Sequence, residues 1–108
     1  MIVNRVIVQF QLSEKYDLDR LYLIESTLDQ AFSQNDFAIV DGNDVGMQSG
    51  KFNIYIYPTR AWAPVLERVK AFLKLRGALD DAIIVKSHGK SGRDEVIHPK
   101  GHTAPFGL

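Results

Sequence analysis

The feature that most constrains this chain is the run Gly50-Lys51-Phe52-Asn53-Ile54-Tyr55-Ile56-Tyr57. Phe52, Ile54 and Ile56 alternate strictly with Asn53, Tyr55 and Tyr57. A side-chain period of two is that of a strand, so the first set points to one face of a sheet and the second set to the other. Two strand-like runs and one helix-like run precede this stretch, and one helix and one strand follow it. It is expected to be an inner strand on which both halves of the fold pair.

The first strand is expected over Val3 to Leu12. Val6, Val8, Phe10 and Leu12 share one face, and Arg5, Ile7, Gln9 and Gln11 share the other. The face with the apolar set should be core. Asp17 is placed to cap a helix running to about Gln34, with Asp19 in the first turn where the helix dipole favours an anion. Leu18, Leu21, Ile24, Leu28, Ala31 and Phe32 recur at threes and fours and form its apolar stripe. Asn35-Asp36 should stop it, because both residues tolerate left-handed backbone.

A short second strand is predicted for Phe37 to Asp41, followed by a glycine-rich loop or bent hairpin arm, Gly42 to Gly50. Pro58-Thr59-Arg60 breaks the organising strand. The second helix carries Trp62, Val65, Leu66, Val69, Phe72 and Leu73 on one side. Pro64 belongs in its first turn, since proline lacks the N–H that a helix interior needs, which puts the cap near Ala61. Gly77 is its left-handed stop. The last expected strand is Ala82 to Ser87.

Strand, helix, strand, strand, helix, strand gives an α+β fold of ferredoxin-like βαββαβ topology. It has four antiparallel strands in the order 4-1-3-2, with both helices on one face. Residues 1–87 are expected to form this domain, and 88–108 an irregular, glycine-rich tail. The chain of 108 residues is long enough for one such core and too short for two.

Charge is balanced overall but uneven along the chain. Residues 1–50 hold eight acids and three bases, and residues 51–108 hold ten bases and five acids. In the expected fold the acidic first helix and the basic second helix are neighbours and should screen one another. The chain has no cysteine, which removes disulfides, thiolate metal sites and cysteine nucleophiles and fits a reducing compartment. No signal-peptide pattern opens the sequence and no apolar run approaches spanning length, so a cytoplasmic protein without a membrane segment is expected.

The expected open sheet face collects the candidate binding residues Arg5, Gln9, Gln11, Asn53, Tyr55 and Tyr57. Tyrosines two apart on an inner strand could stack on bases. Yet the basic-residue–glycine pattern of RNA-recognition strands is missing, strand one offers no outward aromatic, and the face is not basic. Nucleic acid is therefore the weakest partner class. Asp41, Asn43 and Asp44 form a loop candidate with three oxygen-bearing side chains in four residues, but the spacing matches no calcium loop. His98 and His102 stand four apart across Pro99 and Gly101, which forbid the helix such a zinc pair would need. Gly89-Lys90-Ser91-Gly92 lacks the spacer of a phosphate loop. Asp80-Asp81 is a turn whose two carboxylates are expected to be hydrated. No metal, cofactor or catalytic residue is assigned.

Asp41-Gly42-Asn43-Asp44-Val45-Gly46, followed by Gly50-Lys51-Phe52-Asn53-Ile54-Tyr55-Ile56-Tyr57, resembles a pattern in small bacterial proteins of unknown function. In those an acidic Asp-Gly hairpin leads into an Asn-Ile-aromatic strand. The resemblance covers roughly residues 37–87 and implies a free-standing ferredoxin-like domain. It carries over no catalytic residue.

Three functional classes remain open. The first is a protein-interaction or regulatory, immunity-like module that forms a homodimer through its open sheet face. The second is a small-molecule binder or dimeric enzyme with a pocket near Arg5, Gln9, Asn53 and Tyr55. The third is RNA binding by the tyrosine face.

Overall fold

A computed structural model describes residues 4–34, 36–46, 48–88 and 93–100. The alternating stretch is strand β3 (Lys51–Pro58), paired antiparallel with β1 (Arg5–Gln11) on one side and β2 (Ala38–Val45) on the other. Phe52, Ile54 and Ile56 are fully buried beneath the helices with Val6, Val8 and Phe10. Fully burying a side chain of this size contributes about 1.5–3 kcal/mol, so the alternation alone sets which face of β3 is core.

Helix α1 (Leu18–Ser33) starts where expected. Asp17 is its N-cap, and its carboxylate accepts the Arg20 N–H at 2.9 Å. Leu21, Ile24, Leu28 and Phe32 form its buried stripe, while Leu18 at the helix start stays exposed. Asp36 takes the left-handed φ of 57° that the stop requires. Helix α2 (Trp62–Leu75) follows the N-cap Ala61, with Val65, Val69 and Leu73 buried. It ends in a Schellman turn. Gly77, at φ +69°, donates to the Lys74 carbonyl at 3.1 Å, and Ala78 donates to the Leu73 carbonyl at 2.8 Å. Ala78 and Leu73 are both fully buried, which is the apolar contact that accompanies this cap.

The sheet departs from expectation in count and in order. It has five strands arranged β2-β3-β1-β4-β5, every neighbouring pair antiparallel, where four were expected. After β4 (Ile83–His88) the chain returns as β5 (Arg93–His98), formed by residues assigned above to an aperiodic tail. Residues 101–108 of that expected tail lie outside the described residues. Arg93-Asp94-Glu95-Val96-Ile97-His98 has no alternation to announce a strand. Its pairing satisfies the outer backbone groups of β4, which would otherwise form an open edge. Glu95 stands opposite Lys86 in the ladder, with its carboxylate 4.0 Å from His88, while Lys86 lies over the Trp62 ring at 4.7 Å.

Strand β2 runs on to Val45, through residues read above as a loop or a bent hairpin arm, and it is the bent arm that forms. The reason is a bulge. Val40 pairs with Ile56 and Asn43 with Ile54, so three steps on β2 match two on β3. Gly42, at φ +82°, is the residue that permits it. The extra residue inverts facing from there on. Asn43 points to the helix layer, where its amide donates to Glu25 of α1 at 2.7 Å, and Asp44 points to the other face. No helix among the described residues is long and apolar enough to cross a membrane.

Candidate functional site

The sheet face turned away from the helices is organised in cross-strand rows. One row is polar at its β2 end: Asp44, Asn53, Gln9 and then Ile83, from β2, β3, β1 and β4. The next row is apolar: Tyr55, Ile7, Val85 and Val96, from β3, β1, β4 and β5. Ile7, Tyr55 and Val85 are buried and form a second hydrophobic cluster, with Tyr57, Ile83 and Val96 packed on it. A wetted antiparallel face alternates to polar residues. This face does so in the Asp44–Asn53–Gln9 half-row and in the outer rows Arg5–Ser87–Asp94 and Gln11–Lys51, with the apolar row between them.

That half-row is a chain of hydrogen bonds. Gln9 Nε2 donates to Asn53 Oδ1 at 2.9 Å, and Asn53 Nδ2 donates to Asp44 Oδ1 at 3.0 Å. The Tyr55 hydroxyl donates to the other Asp44 oxygen at 2.8 Å. Arg5 lies over the Tyr55 ring, 4.4 Å from its centroid. Burial first, then the bond to Asp44 and its negative charge, push the Tyr55 hydroxyl up to about 12 from an ordinary 10.0, against the opposing pull of Arg5. The phenol is thus held as a neutral donor. Gln9 is 4% exposed and Asn53 0%, so these amides lie inside the face rather than on it.

The structure therefore divides the predicted set. Arg5, Gln9, Asn53 and Tyr55 come together, and Asp44 joins them from the loop candidate by way of the bulge. Tyr57 lies at the rim, half-buried, opposite the exposed Ile39. Gln11 has a different task. Its amide donates to the carbonyls of Ser49 and Gly50, each at 3.1 Å, and so holds the β2–β3 turn. Gly50 has φ +68°, a left-handed backbone that favours glycine, and a Cβ there would stand 2.7 Å from Gln11 Nε2 and displace that amide. Asp41 and Asn43 do not converge with Asp44, being a bulge residue and a helix-facing residue. No cluster of three or more His, Asp or Glu suited to a metal occurs among the described residues.

A second cluster escapes sequence reasoning. Tyr16, in the β1–α1 turn, is buried against Phe10 with ring centroids 5.0 Å apart. Its hydroxyl donates to Asp81 at 2.6 Å, and Lys15 reaches the same carboxylate oxygen at 2.9 Å. Arg20 covers the Tyr16 ring at 4.6 Å. The hydrogen bonds from Tyr16 and Lys15 hold the Asp81 carboxyl below its usual range. Asp81 is exposed, as expected of a hydrated turn residue, and it also ties the turn Leu79–Asp81 to the β1–α1 turn. A separation of 65 residues leaves no local signal for this contact.

His98 faces the helix layer, its ring nitrogen 3.0 Å from the Leu79 carbonyl, and His102 lies outside the described residues. Helices α1 and α2 are neighbours, as expected, but among the described residues no ion pair joins them, and Glu25 of α1 bonds to Asn43 of β2.

Comparison with family models, curated proteins and solved structures yields no match to this chain.

Proposed function

We propose that this chain is a ferredoxin-like interaction module, regulatory or immunity-like in kind, that forms a homodimer through the sheet face turned away from its helices. The order β2-β3-β1-β4-β5 supports the ferredoxin-like assignment, since without β5 it reads β4-β1-β3-β2. We also propose kinship with the small bacterial proteins that residues 37–87 resemble. The observation that carries the functional reading is the accessible apolar margin of that face, which surrounds the row Tyr55–Ile7–Val85 already buried within the chain. That margin, Tyr57, Ile83 and Val96, stays partly exposed, and Ile39 beside it is 60% exposed. Apolar surface next to a rigid polar half-row suits a partner surface better than water.

The other two classes find less support. A substrate pocket would need the Gln9 and Asn53 amides, which bond to one another inside the face. Base stacking would need the Tyr55 ring, which Arg5 covers. The test is molecular mass by light scattering at micromolar concentration. The wild type should run as a dimer, and Ile39→Asp with Tyr57→Ala should run as a monomer with an unchanged far-UV spectrum. A monomeric wild type, or a dimer unaffected by both substitutions, refutes the reading.

A further inference from the structure

The outer surface of the helix layer holds a second feature, independent of the sheet face. Between α1 and α2 runs a groove of about 200 Å³. Leu28, Ala31 and Phe32 line it from α1, and Arg68, Ala71 and Phe72 from α2. Small-molecule sites commonly enclose about 300–1,000 Å³, so this groove has room for a few side chains rather than a cofactor. Its apolar walls extend beyond it. Leu23, 66% exposed, lies on the ridge Leu23–Thr27–Ala31 at steps of four. Leu75, 84% exposed, follows Ala71 and Phe72 on α2 at steps of four and three.

The charged residue that lines the groove is Arg68, and Arg76 lies beside its Phe72 wall; along α2 and its cap, Trp62 to Arg76, four bases stand against the single acid Glu67. Arg68 lies over the Phe37 ring at 4.5 Å and Arg76 over the Phe72 ring at 3.9 Å. Both arginines are thereby held beside the apolar walls, although each is exposed. The acids of α1 do not offset them. Glu25 is engaged with β2, and Asp29, one turn further on, shares its side of the helix.

We infer that this groove docks an acidic amphipathic helix of a protein partner, two apolar side chains entering between α1 and α2 while carboxylates meet Arg68 and Arg76. Helix-in-groove recognition needs this combination: an apolar slot for residues one turn apart, and charge at its edge to set register and orientation. Charge complementarity selects the acidic helix over a basic one, and the slot's small volume selects side chains over a bulky ligand.

The probe is a fluorescein-labelled synthetic helical peptide with two leucines four residues apart flanked by glutamates. Its control carries lysines in place of the glutamates. Binding is followed by anisotropy, and the site by amide shift changes in the isotope-labelled full chain. The acidic peptide should bind, shift the amides of 28–32 and 68–72, and weaken with salt, while the lysine control stays unbound. Arg68→Glu, an exposed substitution, should weaken binding by about tenfold or more, and Phe72→Ala by a similar factor if its fold is intact. Tyr57→Ala should leave peptide binding unchanged, which keeps this outcome separate from that of the sheet-face dimer. The inference is overturned if the acidic peptide fails to bind, if the lysine peptide binds equally, or if Arg68→Glu has no effect. It is also overturned if dilution of the free protein alone moves the same amides, since the occupant is then a second copy.

Discussion

Asn53 is a buried amide on a face that a simple two-layer sheet would leave wet. Its side chain accepts from Gln9 and donates to Asp44, and no buried side-chain nitrogen or oxygen among the described residues lacks a partner. Such a network is costly to break at one point, because the remaining groups stay buried without their bonds. Asn53→Leu alone should destabilise by about 1–3 kcal/mol. Adding Gln9→Leu should recover part of that loss, so the pair is non-additive; urea denaturation of the singles and the double gives the coupling directly. Tyr55 offers a second test. Its hydroxyl is raised from 10.0 to about 12, so the folded chain keeps a proton that the unfolded chain loses. This contribution is complete below pH 10 and is lost as pH rises toward about 12. Asp44→Asn removes the nearby negative charge and should move the tyrosinate absorbance transition of Tyr55 downward, leaving the part due to burial.

At the scale of elements, the helices were legible because their signals are local. Asp17 caps three residues ahead of the N–H it accepts, and Pro64 and Gly77 set limits that depend only on backbone chemistry. Gly77→Ala puts a Cβ on left-handed backbone, and although nothing stands within 4 Å of that Cβ it should cost about 1–2 kcal/mol. A shift in the urea midpoint without a change in slope would bear this out. Strand β2 was not legible as a strand past Asp41. Its glycine and acids left a loop or a bent hairpin arm open; the ladder of β3 continues beside it, and a single extra residue lets Asp44 change faces. The candidate site therefore gained its central carboxylate from a stretch whose local composition points to a turn. Strand β5 was missed for the related reason that an edge strand is held by its neighbour's backbone more than by its own side-chain pattern.

Across the whole molecule, long-range contacts join parts that the sequence keeps separate. The Tyr16–Asp81–Lys15 clasp ties the β1–α1 turn to the return after α2. Asp81 has a folded-state pKa below its ordinary 3.8, so its contact contributes stability above that value and loses it as pH falls further. Asp81→Asn should flatten this part of the acid limb of the stability profile, read from denaturation midpoints at a series of acidic pH values. An unchanged acid limb would show that the clasp is not coupled to folding. The uneven charge of the two chain halves also acquires a spatial meaning. Acidic Glu25 serves β2, and the bases of α2 remain on the outer surface with the groove between them and α1.

Periodicity and backbone chemistry determined, from the sequence alone, the two helices, the strands β1, β3 and β4, and which face of β1 and β3 packs under the helices. These depend on neighbours at most four residues away. The tertiary structure alone decided the fifth strand, the inversion at Gly42, the burial of Gln9 and Asn53, and the meeting of Tyr16 with Asp81. Those features rest on pairings between residues far apart in the chain, where a hydrogen bond is defined by geometry that no local pattern contains.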